Sequence, residues 1–272
     1  FVITLKIRSL MEKKILYLLT CVGLCWSSCT NEVDEFIGNV EPSTRSVSTA
    51  LNANLASLFT GGAPTLTSAE IKEVNDAYAK MTSINCYRNI DEAVRNKTSY
   101  AGTIFLDDTY ASAYFRKGSL AFPPYGILAS SMEHEFIHMY QRDVQGKKVD
   151  TDKEKRDTGM MEFELAFYQG IIRYIHAGYS WTFKGEDGDP SYQSLWTSGL
   201  TDPSLIPQYE REFQTYVASI CANGKPTSID INEFVKWSNI FGEYSRGYSG
   251  KGYKFGNYDY GTSCINSLLK LY

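Results

Sequence analysis

The chain is poor in histidine, with three in 272 residues, and it contains no CxxC pair. The second absence excludes a zinc finger or ribbon held through sulfur. Of six cysteines, Cys21, Cys25 and Cys29 lie near the start, leaving Cys86, Cys221 and Cys264 further on. Three thiols cannot all pair, so at most one disulfide can form there, and a disulfide scaffold is excluded. The apolar run at residues 15–26 is too short for a membrane span and is bounded by Lys13 and Lys14. No internal repeat is present. Basic residues are fewer than acidic ones, 27 against 31, for a formal charge of −4. Residues 1–28 carry Lys6, Arg8, Lys13 and Lys14 against Glu12, so the remainder stands near −7. Such a surface repels phosphate backbones, which argues against a nucleic-acid partner. At 43% hydrophobic and 21% charged, the composition is that of a globular protein long enough for a sizeable core. The 20 tyrosines read as half-buried packing residues.

From Met11 the sequence reads MEKKILYLLTCVGLCWSSC: two lysines, an apolar run, then small residues before a cysteine. This order is that of an export signal, with the ten residues ahead of Met11 lying upstream of the true start. Ending on Ser27-Ser28-Cys29, it resembles a bacterial lipoprotein signal, which implies a lipid on Cys29 and a mature chain beginning there. Cys25 is the second candidate, and plain secretion the competing outcome. Residues 30–66, rich in Ser, Thr, Asn and Gly, read as a flexible tether. The acidic start of that tether (Glu32, Asp34, Glu35) resembles the export signals that send some lipoproteins to the outer face of the envelope; a merely solvated linker fits equally well. The expected division is therefore a signal segment at 1–28, a tether at 29–66 and one domain at 67–272.

Order is expected to begin at Thr67, where TSAE forms a capping box with Glu70 ahead of Ile71, Val74, Tyr78 and Met81 at helical spacing. Residues 101–122 are β-rich and predict two or three short antiparallel strands. Pro123-Pro124 should close the strands and open a helix running to about Gln145, with Gly146 as its stop. The charged stretch at 147–159 reads as a surface loop. The segment MMEFELAFYQGIIRYIHAGY is apolar nearly all round and predicts a buried helix. Two more helices follow near 204–222 and 230–244. The Gly- and Tyr-rich tail then loops back over the domain.

Two of the three histidines fall four apart in HEFIH, residues 134–138. On a helix four residues advance 400°, so His134 and His138 point about 40° apart, one turn apart in height. Both imidazoles can reach one ion, with Glu135 on the shoulder of that face. Two neutral imidazoles to hold a cation, and a carboxylate beside them to take a proton from water, are what hydrolytic zinc chemistry needs. The competing explanation is a polar, solvent-facing turn. A catalytic zinc needs a third protein ligand and one open position. A third histidine six residues after His138 is excluded, since Val144 stands there and Gln141 stands where that pattern has glycine. The buried helix offers Glu162 and Glu164, costly on an apolar helix unless each finds a cation or hydrogen bonds. Being two residues apart they point about 200° apart, so a single ion can take only one. Glu162 shares its face with Ala166, Gln169 and Arg173. His176 lies fourteen residues on, about 21 Å along the axis, and reads as a packed or surface histidine. Gln141, one further turn along the histidine face, could orient a ligand or simply pack.

HEFIH followed by EFELAFYQ resembles the zincin metallopeptidases, specifically the gluzincin branch, whose third ligand is a glutamate on a following helix. The second segment is similar to the Glu-x-Glu-Ala signature of small bacterial members, although Leu165 stands where that signature has alanine. The resemblance covers residues 100–178. It implies an α+β, zincin-like fold: a small antiparallel β-containing upper part, a larger helical lower part, and the active-site helix between. It implies Zn2+ as cofactor, His134, His138 and Glu162 as metal ligands, Glu164 as substitute for Glu162, and Glu135 as general base. The expected activity is hydrolysis of a peptide or protein substrate by a monomer on the bacterial cell envelope, attached to the membrane only through the Cys29 lipid. An upper edge strand, with GSLAF at 118–122 as candidate, would hold extended substrate backbone. A tyrosine or arginine of the C-terminal half, within 244–260 for example, would face the developing oxyanion. The alternative expectation is a non-catalytic binding or structural lipoprotein, in which the metal serves only the scaffold. A sugar-binding surface protein ranks last.

Overall fold

The computed structural model describes residues 50–147, 155–176, 201–245, 249–251, 253, 255 and 261–272. The signal segment, Cys29 and most of the tether lie outside them, so the expectations placed there meet no structural counterpart.

The described chain is α+β, with helix dominating. Its elements are α1 (Ala53–Leu58), α2 (Ser68–Ser83), α3 (Asn85–Lys97), β1 (Ile104–Leu106), β2 (Tyr114–Arg116), β3 (Ser119–Phe122), α4 (Ala129–Met139), α5 (Lys155–His176), α6 (Ile206–Ile220), β4 (Cys221–Ala222), β5 (Lys225–Pro226), α7 (Ile231–Tyr244) and α8 (Ser263–Leu269). No helix among the described residues is long and apolar enough to cross a membrane.

α2 begins as its capping box requires. The Thr67 hydroxyl accepts from the Glu70 backbone N–H and the Glu70 carboxylate accepts from the Thr67 N–H, satisfying two donors that a helix start leaves open. Val74, Tyr78 and Met81 are buried along it, and the Tyr78 ring meets Phe136 of α4. Order starts earlier than expected, however. Leu55, Leu58 and Phe59 are buried in the core, and Thr60 and Gly61 bond the backbone of Tyr100 and Gly102. A run read as tether because polar residues outnumber apolar ones thus supplies three core side chains. The sequence reading also passed over α3, whose Cys86, Tyr87, Ile90 and Val94 are buried, and α8 at the chain's end.

The three-stranded sheet differs from expectation in order and direction. Its order is β1-β3-β2, with β1 parallel to β3 and only β2 antiparallel to it. Residues 118–122 therefore contain the middle strand, hydrogen-bonded on both sides, and cannot offer a free edge. A tight turn with Lys117 and Gly118 at positive φ (50° and 78°) folds β2 back on β3, leaving β2 as the edge that packs against α4.

Pro123-Pro124 precede α4 by several residues instead of opening it; Leu128 is the N-cap. Met132, Phe136 and Met139 bury one face against α2 and α3. The helix then widens into a five-residue π turn, Tyr140–Val144, and Gly146 at φ 73° ends it as foreseen. α5 starts within the stretch read as loop and is buried from Met160 onward. Phe163 and Phe167 stack on Phe234 and Phe241 of α7 and Phe213 of α6. That aromatic wall holds α5 on one side and leaves the other to α4.

Candidate metal centre

α4 turns its apolar face to α2, and His134 and His138 come out on the opposite side. α5, held by its phenylalanine face, brings Glu162 to the same place. The His134 and His138 Nε2 atoms lie 3.1 Å apart, with the rings nearly perpendicular at 80°. One Glu162 oxygen is 3.2 Å from His138 Nε2 and the other 3.6 Å from His134 Nε2. These are the ligand atoms of a group that could hold a metal ion, all within 4.8 Å of one another. Glu135 is buried beside it, its Oε1 4.0 Å from His134 Nε2.

The donor set fits a divalent cation, zinc among others. Tetrahedral ligands at about 2.0–2.1 Å sit about 3.3–3.4 Å from each other, close to the 3.1 Å between the two Nε2 atoms and the 3.2 Å from His138 Nε2 to a Glu162 oxygen. The residues also need something positive between them. Two imidazole lone pairs and a carboxylate pointed at one spot repel unless a proton or cation lies there.

Without a cation, protons offset that repulsion, at His138 and at Glu135 beside it. Burial opposes charge on His138, but the Glu162 carboxylate, through its charge and hydrogen bond, outweighs it and holds that imidazole up at about 9. His134 is pushed down to about 4 by burial and then by charged His138. Burial raises Glu135 to about 8, with His138 and a Phe115 backbone N–H from the edge strand acting against it and Glu162 with it.

Glu164 takes no part in this group. It points to the other side of α5 into an ion pair with Lys147 in which both side chains are 0% exposed. Gln141 donates to the same Glu164 oxygen at 2.7 Å. Glu162, by contrast, keeps 20% of its side chain exposed. The structure thus separates the two candidate acids: Glu162 faces the imidazoles and Glu164 does not. His176 is exposed at the end of α5, its ring 6.0 Å from that of Tyr272.

Lys147 was read as the first residue of a surface loop and is instead fully buried; nothing in the run of charges after it marks it out. The tail also lies close to α5, since a Cβ on Gly159 would meet Tyr253 Cβ at 3.1 Å. Most of residues 246–260, where an oxyanion partner is expected, lies outside the described residues. Among the described residues Cys86 and Cys264 are buried thiols in no disulfide.

No family model, curated protein or solved structure matches this chain.

Proposed function

We propose that the chain is a zinc-dependent metallopeptidase of the zincin kind, with His134, His138 and Glu162 as metal ligands and Glu135 as general base. One observation carries this: two imidazoles from one helix and one carboxylate from another meet at a single point, with a buried carboxylate alongside.

Zinc bound there would act as a Lewis acid on the scissile carbonyl and lower the pKa of water. Glu135, the carboxylate buried beside the ligands and ionised when a cation is bound, would take a proton from the attacking water. It returns that proton to the amide nitrogen as the C–N bond breaks. The apolar packing of α4 and α5 fixes Glu135 against the imidazoles, so little reorganisation is needed. The edge available for extended substrate backbone is β2, next to α4, and not residues 118–122. Peptide or protein remains the substrate class. Export and a lipid on Cys29, placing the activity on the bacterial envelope, rest on the order of residues 11–29.

A scaffold role would call for a fourth protein ligand closing the site. Among the described residues no further His, Cys, Asp or Glu joins the group, which favours the enzyme. The test is Glu135→Gln in the full chain, assayed on a mixed peptide pool with zinc content measured in parallel. Zinc retained at one per chain with cleavage reduced at least about 100-fold is the expected result. Unchanged cleavage would overturn the proposal.

A further inference from the structure

The group at the imidazoles is not isolated from the rest of the fold. His138 Nδ1 lies 2.9 Å from Gln141 Oε1. The Gln141 amide nitrogen is 2.7 Å from Glu164 Oε2 and 3.1 Å from the Met161 carbonyl oxygen. Glu164 in turn pairs with Lys147. Lys147 is brought inside by the turn at Gly146, where its own N–H donates to the Gln141 carbonyl at 3.0 Å. Gln141, Lys147 and Glu164 are all buried.

The direction of every bond in this chain can be deduced. A carbonyl and an ionised carboxylate only accept, so the Gln141 atom facing both must be its NH2 group. Its Oε1 is therefore the atom turned to His138, and Oε1 only accepts. The hydrogen on His138 Nδ1 follows, and with Nδ1 protonated the lone pair of the neutral ring lies on Nε2, the nitrogen aimed at His134 and Glu162. A flipped Gln141 would set its oxygen against two acceptors.

We infer that Gln141 is a positioning residue which, clamped by the buried Glu164–Lys147 pair, holds His138 as an Nε2 ligand; the inference rests on the zinc assignment above. It also accounts for the second glutamate of EFELAFYQ. Glu164 is spent on the hydrogen-bond chain behind the ligand, two residues from the glutamate that faces the ion. Partners of this kind orient a ligating imidazole, and removing one typically weakens metal binding 10–100-fold.

The test uses the full chain labelled with 15N-histidine, in three forms: wild type, Gln141→Leu, and the double variant Gln141→Glu with Glu164→Gln. The double variant moves the carboxylate one link toward His138 and keeps an acceptor at Nδ1; its second oxygen faces the Met161 carbonyl, so a lower thermal midpoint is expected of it. In metal-free wild type the His138 Nδ1 proton is expected as a solvent-protected imidazole resonance, assignable because only three histidines exist. It should vanish in Gln141→Leu and return in the double variant. Zinc titrated against a competing chelator should bind Gln141→Leu 10–100-fold more weakly than wild type, and the double variant within several-fold of wild type. A merely structural Gln141 would shift the thermal midpoint and leave that proton and the zinc affinity unmoved, which would overturn the inference. A protected Nδ1 proton in a wild type that takes up no zinc would uphold the hydrogen-bond chain and overturn the zinc assignment alone.

Discussion

Glu162 and Glu164 stand two residues apart on α5 and serve opposite ends of one structure: Glu162 faces His134 and His138, and Glu164 sits in a dry pair with Lys147. A residue advance of about 200° forces that split once the helix is buried. The two carboxylates should therefore fail differently. Glu162→Gln removes a partly exposed carboxylate, the proposed third ligand, so the chain should stay folded and lose zinc binding by several orders of magnitude. Glu164→Gln leaves the Lys147 ammonium buried with a neutral partner, and loss of about 3–5 kcal/mol of stability is expected. Denaturant melts and zinc titration on both variants separate the roles; equal loss of stability in both would contradict the assignment.

The metal-free protein should lose stability as pH rises from 6.5 toward 9. His138 moves from 6.5 up to about 9 on folding and Glu135 from 4.5 up to about 8, so the folded chain holds protons that the unfolded chain releases. Their contribution is complete below the lower value of each and is lost as pH passes the upper one. His134, depressed to about 4, works in the other direction, but only below 6.5. Thermal melts in chelator should show the midpoint falling across that window. Under the proposed assignment zinc takes the imidazoles deprotonated, and added zinc should then stabilise more as pH rises. A metal-free midpoint flat or rising from pH 6.5 to 9 would refute the placement of the protons.

Leu55 decides whether the segment before α2 belongs to the domain. Its side chain is fully buried, so Leu55→Ala should cost about 2–5 kcal/mol in a urea melt. A change under about 0.5 kcal/mol would restore the tether.

Gly102 sits where two backbones cross, and a Cβ added to it would fall on the carbonyl of Gly118. Backbone cannot move aside as a flexible side chain can, so Gly102→Ala should destabilise by about 1–3 kcal/mol. Because the crossing holds the turn that folds β2 back on β3, and β2 is the edge beside α4, the same variant should weaken peptide cleavage more than zinc binding. Paired melts and assays would check this.

Some of this protein was written in its residues in a form that needs no partner to interpret. Helical spacing alone puts His134 and His138 on one face and sends Glu162 and Glu164 in different directions, because 3.6 residues per turn is a property of the backbone. The capping box at Thr67, the stop at Gly146, the buried α5 and the two helices α6 and α7 follow from equally local rules. Pairings between distant segments were decided only in three dimensions. Whether β3 lies at an edge depends on β1 returning beside it in parallel, and no residue of GSLAF records that. Leu55 counts as core because Tyr100 and Gly102 lie against its neighbours. Lys147, one lysine in a charged run, becomes an anchor because Glu164, seventeen residues away, needs a cation in a place water does not reach. Local geometry dictates which way a side chain points along its own element; only the packed chain determines what it meets there.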